Sequence, residues 1–176
     1  MKIIFKKFTS LNLEENQNLL EIRNSDYVRF HMENSNKIEY KDHLQFIEKL
    51  KNSSSIYFSV ILDSQIIGAV YVNQINGNNY LGLYFKEEIN PLISSISTFL
   101  FLDYIFLNIH QNLQSFVKKE NSMAFSFNKN FGFELYKEDE NYFYLELEKQ
   151  KWENRKNSKL LKPIKNYLDK IDYEFK

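Results

Sequence analysis

The 176-residue chain has no cysteine. Disulfides, a thiolate nucleophile and thiolate metal ligands are therefore excluded. Glycine and proline are scarce, with four and two copies, and this matters wherever a loop must close tightly around a ligand. An excess of one charge is also missing, because 23 Lys+Arg balance 23 Asp+Glu. A general nucleic-acid-binding protein needs a net basic face, so that class is not expected. The chain has no histidine pair at metal-ligand spacing, no acidic calcium loop, no Gly-x-Ser-x-Gly elbow and no Walker loop. No metal is expected. The first residues are too short and too charged for a signal peptide. With no cysteine, the expected location is the cytoplasm.

What is present is a large apolar and aromatic complement, 43% hydrophobic with 16 Phe and 12 Tyr. Such a chain can fill a core, and its length suits one domain or one domain plus a tail. One apolar run, residues 92–109, has the length of a membrane helix. Asp103 in its middle would cost roughly 2.5–3.5 kcal/mol at a bilayer centre, and Ser94, Ser95, Ser97 and Thr98 dilute its first half. A buried core helix is expected and a membrane span is not.

Periodicity orders the elements. Residues 3–8 read as a strand and 13–23 as a helix. Residues 24–37 are polar and read as irregular, and 40–50 carry helical spacing in Leu44, Ile47 and Leu50. Residues 56–62, 65–72 and 80–85 read as a strand meander turning at Asp63-Ser64 and at 76–79. Asn90 and Pro91 are the expected start of the long helix, and His110 its expected C-terminal cap. A strand at 113–118, a helix at 121–131 stopped by Gly132, and an antiparallel pair at 133–137 and 142–148 complete the order. Three antiparallel strands followed by a strand–helix–strand crossover predict a mixed α/β (α+β) sheet with helices on both faces. Residues 149–176 fall outside this pattern and are lysine-rich. The stripe Ile164, Leu168, Ile171 predicts a helical extension that packs on the body or on a second copy, against the alternative of a frayed basic tail. This divides the chain into 1–148 and 149–176.

Several stretches resemble one family. Residues 22–32 (Ile-Arg-Asn-Ser-Asp-Tyr-Val-Arg-Phe-His-Met) and the helix at 39–50 do so. So do the hairpin 57–60 with 65–68, the strand segment 82–84, and the Asn121-to-Ala124 helix start ending in Gly132-Phe133. Taken in order, over roughly residues 1–148, they resemble the GNAT N-acetyltransferases that act on nucleotide-linked amino sugars, as in pseudaminic acid synthesis. The resemblance implies a GNAT fold and transfer of acetyl from acetyl-CoA to the amino group of a UDP- or dTDP-linked sugar, with a homodimer as a possible state. It implies cofactor contacts at Leu83, Phe85, Lys86, Ser94, Ser95, Asn121 and Ala124. Arg23, Asn24, Arg29, His31 and Tyr80 are implied on the acceptor side. Each arginine could instead be a surface ion pair, and Tyr84 could be core filling. His43 reads as a solvated or packing residue.

Two departures bear on catalysis. The family's pyrophosphate turn is glycine-rich, because glycine lets backbone N–H groups close on phosphate at a helix N-terminus. Here no glycine lies between Gly82 and Gly132, and Glu87, Glu88 and Pro91 occupy that stretch. Lys86 and the hydroxyls of Ser94, Ser95 and Ser97 remain. The family's acid, a tyrosine four residues after the alanine, falls on Asn128, whose amide has no acidic proton to give. Tyr80, Tyr84 and Glu87, on or after the fourth strand, are the candidates for a water-relayed base, and Asn128 marks the acid position. These departures motivate a second reading, a binding or scaffolding protein on the same fold that has lost catalysis, and a third, an enzyme using a different acyl donor.

Overall fold

A computed structural model describes residues 1–108 and 112–176. His110, the expected cap of the long helix, lies outside the described residues. Strand β1 (Lys2–Lys7) buries Ile3 and Phe5 on one face. Helix α1 (Leu13–Asn24) begins with a capping box, in which Asn12 Oδ1 accepts the Glu15 N–H at 2.9 Å while Glu15 Oε2 accepts the Asn12 N–H at 2.7 Å. Residues 24–37 are not irregular throughout, since a second helix, α2 (Asp26–His31), follows at once. Ser25 makes this possible by closing α1 and capping α2, and Val28 anchors the short helix in the core. Helix α3 (Tyr40–Leu50) follows.

Strands β2 (Ile56–Leu62) and β3 (Gln65–Ile75) form a hairpin. Its two turn residues, Asp63 and Ser64, have φ of 45° and 74°, the twist that a two-residue hairpin needs. Strand β4 (Asn78–Phe85) returns through Asn76-Gly77, again with both φ positive. Then come α4 (Pro91–Asn108), β5 (Leu113–Lys118), α5 (Ser122–Asn130), β6 (Glu134–Glu138) and β7 (Tyr142–Leu147). The C-terminal segment supplies α6 (Lys149–Lys156), α7 (Lys162–Leu168) and β8 (Asp172–Phe175). The expected helical extension is present. The last strand was not expected, because four residues carry too little pattern to register as a strand.

The eight strands form one sheet in the order β6-β7-β5-β4-β3-β2-β1-β8. Among the described residues, only β4–β5 and β1–β8 pair in parallel. Each face has its own apolar cluster. One contains Leu19, Ile22, Val28 and Ile47 from α1–α3 over β2–β4. The other contains Ile96, Phe99 to Leu102, Ile105 and Phe106 from α4, together with Phe131, Trp152, Leu161 and Ile164. Helix α4 alone, among the described residues, is long and apolar enough to cross a membrane, and half of it is buried inside the protein. The tail is not frayed: Phe175 stacks between Phe5, at 4.3 Å, and Tyr104, at 4.1 Å.

Candidate active site

Among the described residues, parallel pairing of β4 with β5 covers only Asn79–Leu113 and Tyr80–Gln114, after which the strands separate. On its other edge β4 pairs with β3 along its whole length. The Lys86 N–H donates to the Ile67 carbonyl at 2.9 Å, which marks that pair as hydrogen-bonded. By the two-residue alternation of an antiparallel ladder, the backbone groups of Gly82 and Tyr84 also face β3. Those of Leu83 and Phe85 face the gap, where no strand meets them. Unpaired backbone donors inside a fold require water or a ligand. A cleft of about 680 Å³ opens at this gap and passes from the α1–α2 side of the sheet to the α4–α5 side.

The cleft is lined by all three residues expected to be catalytic, Tyr84, Glu87 and Asn128. Tyr84 lies buried beside Tyr57 and Tyr71, whose rings stack 4.6 Å apart. Burial pushes all three phenols above their ordinary range, so each keeps its proton near neutral pH. Gly82 makes room for this arrangement: a Cβ there would meet the Tyr71 ring at 2.1 Å. Asn128 is buried, and its Nδ2 donates to Ser115 Oγ at 3.1 Å. Ser115, also on the lining, is not among the residues the sequence points to. Its signal was only the inward alternation of 113, 115 and 117 along β5.

Leu83, Phe85, Lys86, Ser94, Asn121 and Ala124 also line the cleft, and Ser95 does not. The turn after β4 closes through Ile89 N–H to the Lys86 carbonyl at 3.2 Å. Among the described residues, positive φ at non-glycine positions is confined to Asp63, Ser64 and Asn76. The turn therefore needs no glycine. At the start of α4, Asn90 Oδ1 accepts the Leu92 N–H at 2.9 Å and the Asn90 carbonyl accepts the Ile93 N–H at 2.8 Å. Asn90 thus holds donors that a phosphate would otherwise meet. Lys86 and the Ser94 hydroxyl, which donates to the Pro91 carbonyl at 3.0 Å, remain nearby. On α5, Asn121 Oδ1 accepts the Ala124 N–H at 2.9 Å.

Of the acceptor-side residues, Arg23, His31 and Tyr80 line the cleft, while Asn24 and Arg29 do not. Asn24 bonds both the N–H and the carbonyl of Ile38, each at 2.8 Å. Arg29 donates to the carbonyls of Asn24 and Ser35 and pairs with Asp26. Both residues brace the loop around α2. Arg23 instead donates Nη2 to the Asn34 carbonyl at 2.9 Å, and its Nη1 is buried without a partner. His31 Nδ1 lies 2.9 Å from the Tyr27 carbonyl, an acceptor only, so Nδ1 is the donor there and, in the neutral imidazole, Nε2 is the nitrogen with the lone pair. His43 is buried outside the cleft. It is a packing residue whose imidazole burial pulls below its ordinary value.

No protein-family model matches the chain. The fold is that of a GNAT-family acetyltransferase from Bacillus anthracis, matched with a TM-score of 0.70 at 15% identity over 85% of this chain and 96% of that one. The Campylobacter jejuni N-acetyltransferase PseH, solved in complex with acetyl coenzyme A, matches with a TM-score of 0.66 at 29% identity, over 83% of this chain and 98% of that one. In sequence, the chain is 32% identical over 146 residues to Acetyltransferase PseH of Campylobacter jejuni subsp. jejuni serotype O:23/36, covering 81% of this chain and 92% of the relative. The architecture is thus that of the GNAT acetyltransferases. Within them, this chain belongs to the PseH acetyltransferase family.

Proposed function

We propose that this protein moves the acetyl group of acetyl-CoA to the amino group of a nucleotide-linked amino sugar. The observation that carries the reading is the cleft at the β4–β5 gap. It joins the gap-facing backbone of Leu83 and Phe85 to the guanidinium of Arg23. The likeness to PseH supports it over the scaffolding alternative.

The residues present suit the co-substrate. Backbone N–H groups of β4 offer an extended ligand the hydrogen bonds that β5 does not make. The same donors polarise the thioester carbonyl, where negative charge develops during attack. Lys86 and Ser94 would hold the phosphates in place of a glycine-rich turn. On the other side, Arg23 offers its buried Nη1 to the anionic part of the acceptor. The amine attacks the carbonyl carbon, the C–N bond forms, and the C–S bond breaks. The amine proton passes to the Nε2 lone pair of His31, with Glu87 as a water-relayed second route. The thiolate leaves without needing a protein acid, and the Asn128 amide with Ser115 gives it a neutral polar wall. Holding both substrates in one cleft supplies proximity.

The enzyme would work in the cytoplasm, with no membrane span, α4 being held in the core. A second copy would use the outer strand β6, whose residues are all exposed. The test is thiol release from acetyl-CoA with a UDP-linked 4-amino sugar as acceptor. Acceptor-dependent release is expected, and failure of acetyl-CoA to bind up to millimolar concentration would sink the catalytic reading.

A further inference from the structure

Lys118 ends β5 and lies on the cleft lining. Its Nζ donates across the cleft to the carbonyl of Phe30, in the last turn of α2, at 3.2 Å. Among the described residues it is the only hydrogen bond that joins the α1–α3 side of the cleft to the β5–β7 side. The adjacent Lys119 is already committed, pairing with Glu138 at 3.1 Å and lying over the Phe143 ring. Lys118 has no carboxylate within salt-bridge distance among the described residues, and neither has Arg23 on the facing helix α1. Two cations on opposite walls thus hold only backbone carbonyls. Glu33 also lines the cleft, beside Tyr71, where the field of Arg23 opposes its own.

A carbonyl at a helix C-terminus carries a partial negative charge. A phosphate carries a full one and accepts stronger, charge-assisted hydrogen bonds from an ammonium group. Lys118 therefore gains by exchanging the first for the second, and a lysine stem is long and flexible enough to make the move. We infer that Lys118 is a second cation of the acceptor subsite, set across the cleft from Arg23, and that it gives up the Phe30 carbonyl to bind the diphosphate of the acceptor. This inference rests on the nucleotide-linked acceptor proposed above.

The experiment is calorimetric titration of the full chain with UDP, with uridine and with acetyl-CoA. It compares the unaltered protein with Lys118→Met, which keeps the aliphatic stem, and with Lys118→Arg. Lys118→Met should weaken UDP binding about tenfold, the scale of one charge-assisted bond. Uridine and acetyl-CoA binding should stay unchanged, and Lys118→Arg should restore most of the UDP affinity. Intact UDP binding in Lys118→Met overturns the role of Lys118 alone. Equal losses for UDP and uridine would show that Lys118 merely braces α2, and would overturn it too. An unaltered protein that binds acetyl-CoA but not UDP overturns the nucleotide-linked reading and this inference with it.

Discussion

The indole N–H of Trp152 donates to Asp103 Oδ1 at 2.8 Å, across 49 residues of sequence. Lys156 Nζ reaches the same oxygen at 3.1 Å. Trp152 is fully buried, with its ring edge-on to Phe99 at 5.2 Å. The one charged residue in the apolar helix is thus the point where the C-terminal segment is fastened to the core. Trp152→Ala should destabilise the protein by roughly 3–5 kcal/mol, the cost of emptying a large aromatic site. Trp152→Phe should cost less, since Lys156 still pairs with Asp103. Chemical denaturation measures both, and equal stability of Trp152→Ala and the unaltered chain would refute the anchoring role.

His43 makes stability depend on pH. Burial holds its folded imidazole below the unfolded value of 6.5. Between those two values the unfolded chain binds the extra proton, so folding opposes protonation. The contribution is fully present above about pH 6.5 and is lost as pH falls through the folded value. Thermal melts from pH 7.5 down to pH 5 should fall less steeply for His43→Leu. Parallel slopes in the two proteins would rule His43 out as the source.

Leu83→Pro removes one N–H that faces the gap and no hydrogen bond to β3. Acetyl transfer should fall by about 100-fold, the scale of losing one donor to a developing oxyanion, while the melting temperature changes little. Unchanged turnover would mean that this backbone does not polarise the thioester.

Gly82→Ala drives a methyl group into the Tyr71 ring. Tyr71 must then leave its stack on Tyr57 and intrude on the cleft. The KM for the acceptor should rise several-fold with acetyl-CoA binding unaffected. A variant equally impaired for both substrates would point to general disruption of β4.

Arg23→Ala and Arg29→Ala should separate cleanly. The first removes a cleft-lining guanidinium, so acceptor binding should weaken by about 1–3 kcal/mol. The second frees the carbonyls of Asn24 and Ser35 and should lower the melting temperature first. Titration with UDP beside a thermal melt decides it, and the reverse pattern would overturn both assignments.

The order of strands and helices from β2 to β7, the cap at Asn90, the turns at Asp63-Ser64 and Asn76-Gly77, and the family resemblance were all legible in the sequence. These are local matters, written in periods of two and 3.6 residues, in turn chemistry and in short motifs. Other features were not legible. Helix α2 depends on Ser25 serving two helices at once. Strand β8 exists because β1 has a free edge and Phe5 and Tyr104 leave a slot for Phe175.

The site divides in the same way. Sequence alone determined which residue types were available: no thiolate, no glycine between Gly82 and Gly132, an amide at position 128, and two arginines, one before and one within α2. It could not tell Arg23 from Arg29, six residues apart in a similar polar setting. Tertiary structure decided between them, because the fold turns Arg23 to the cleft and surrounds Arg29 with carbonyls of its own loop. It also brought Ser115 to Asn128 and Lys118 to Phe30, pairs separated by 13 and 88 residues. Such contacts arise from how strands diverge and helices cross, and no local pattern encodes that geometry.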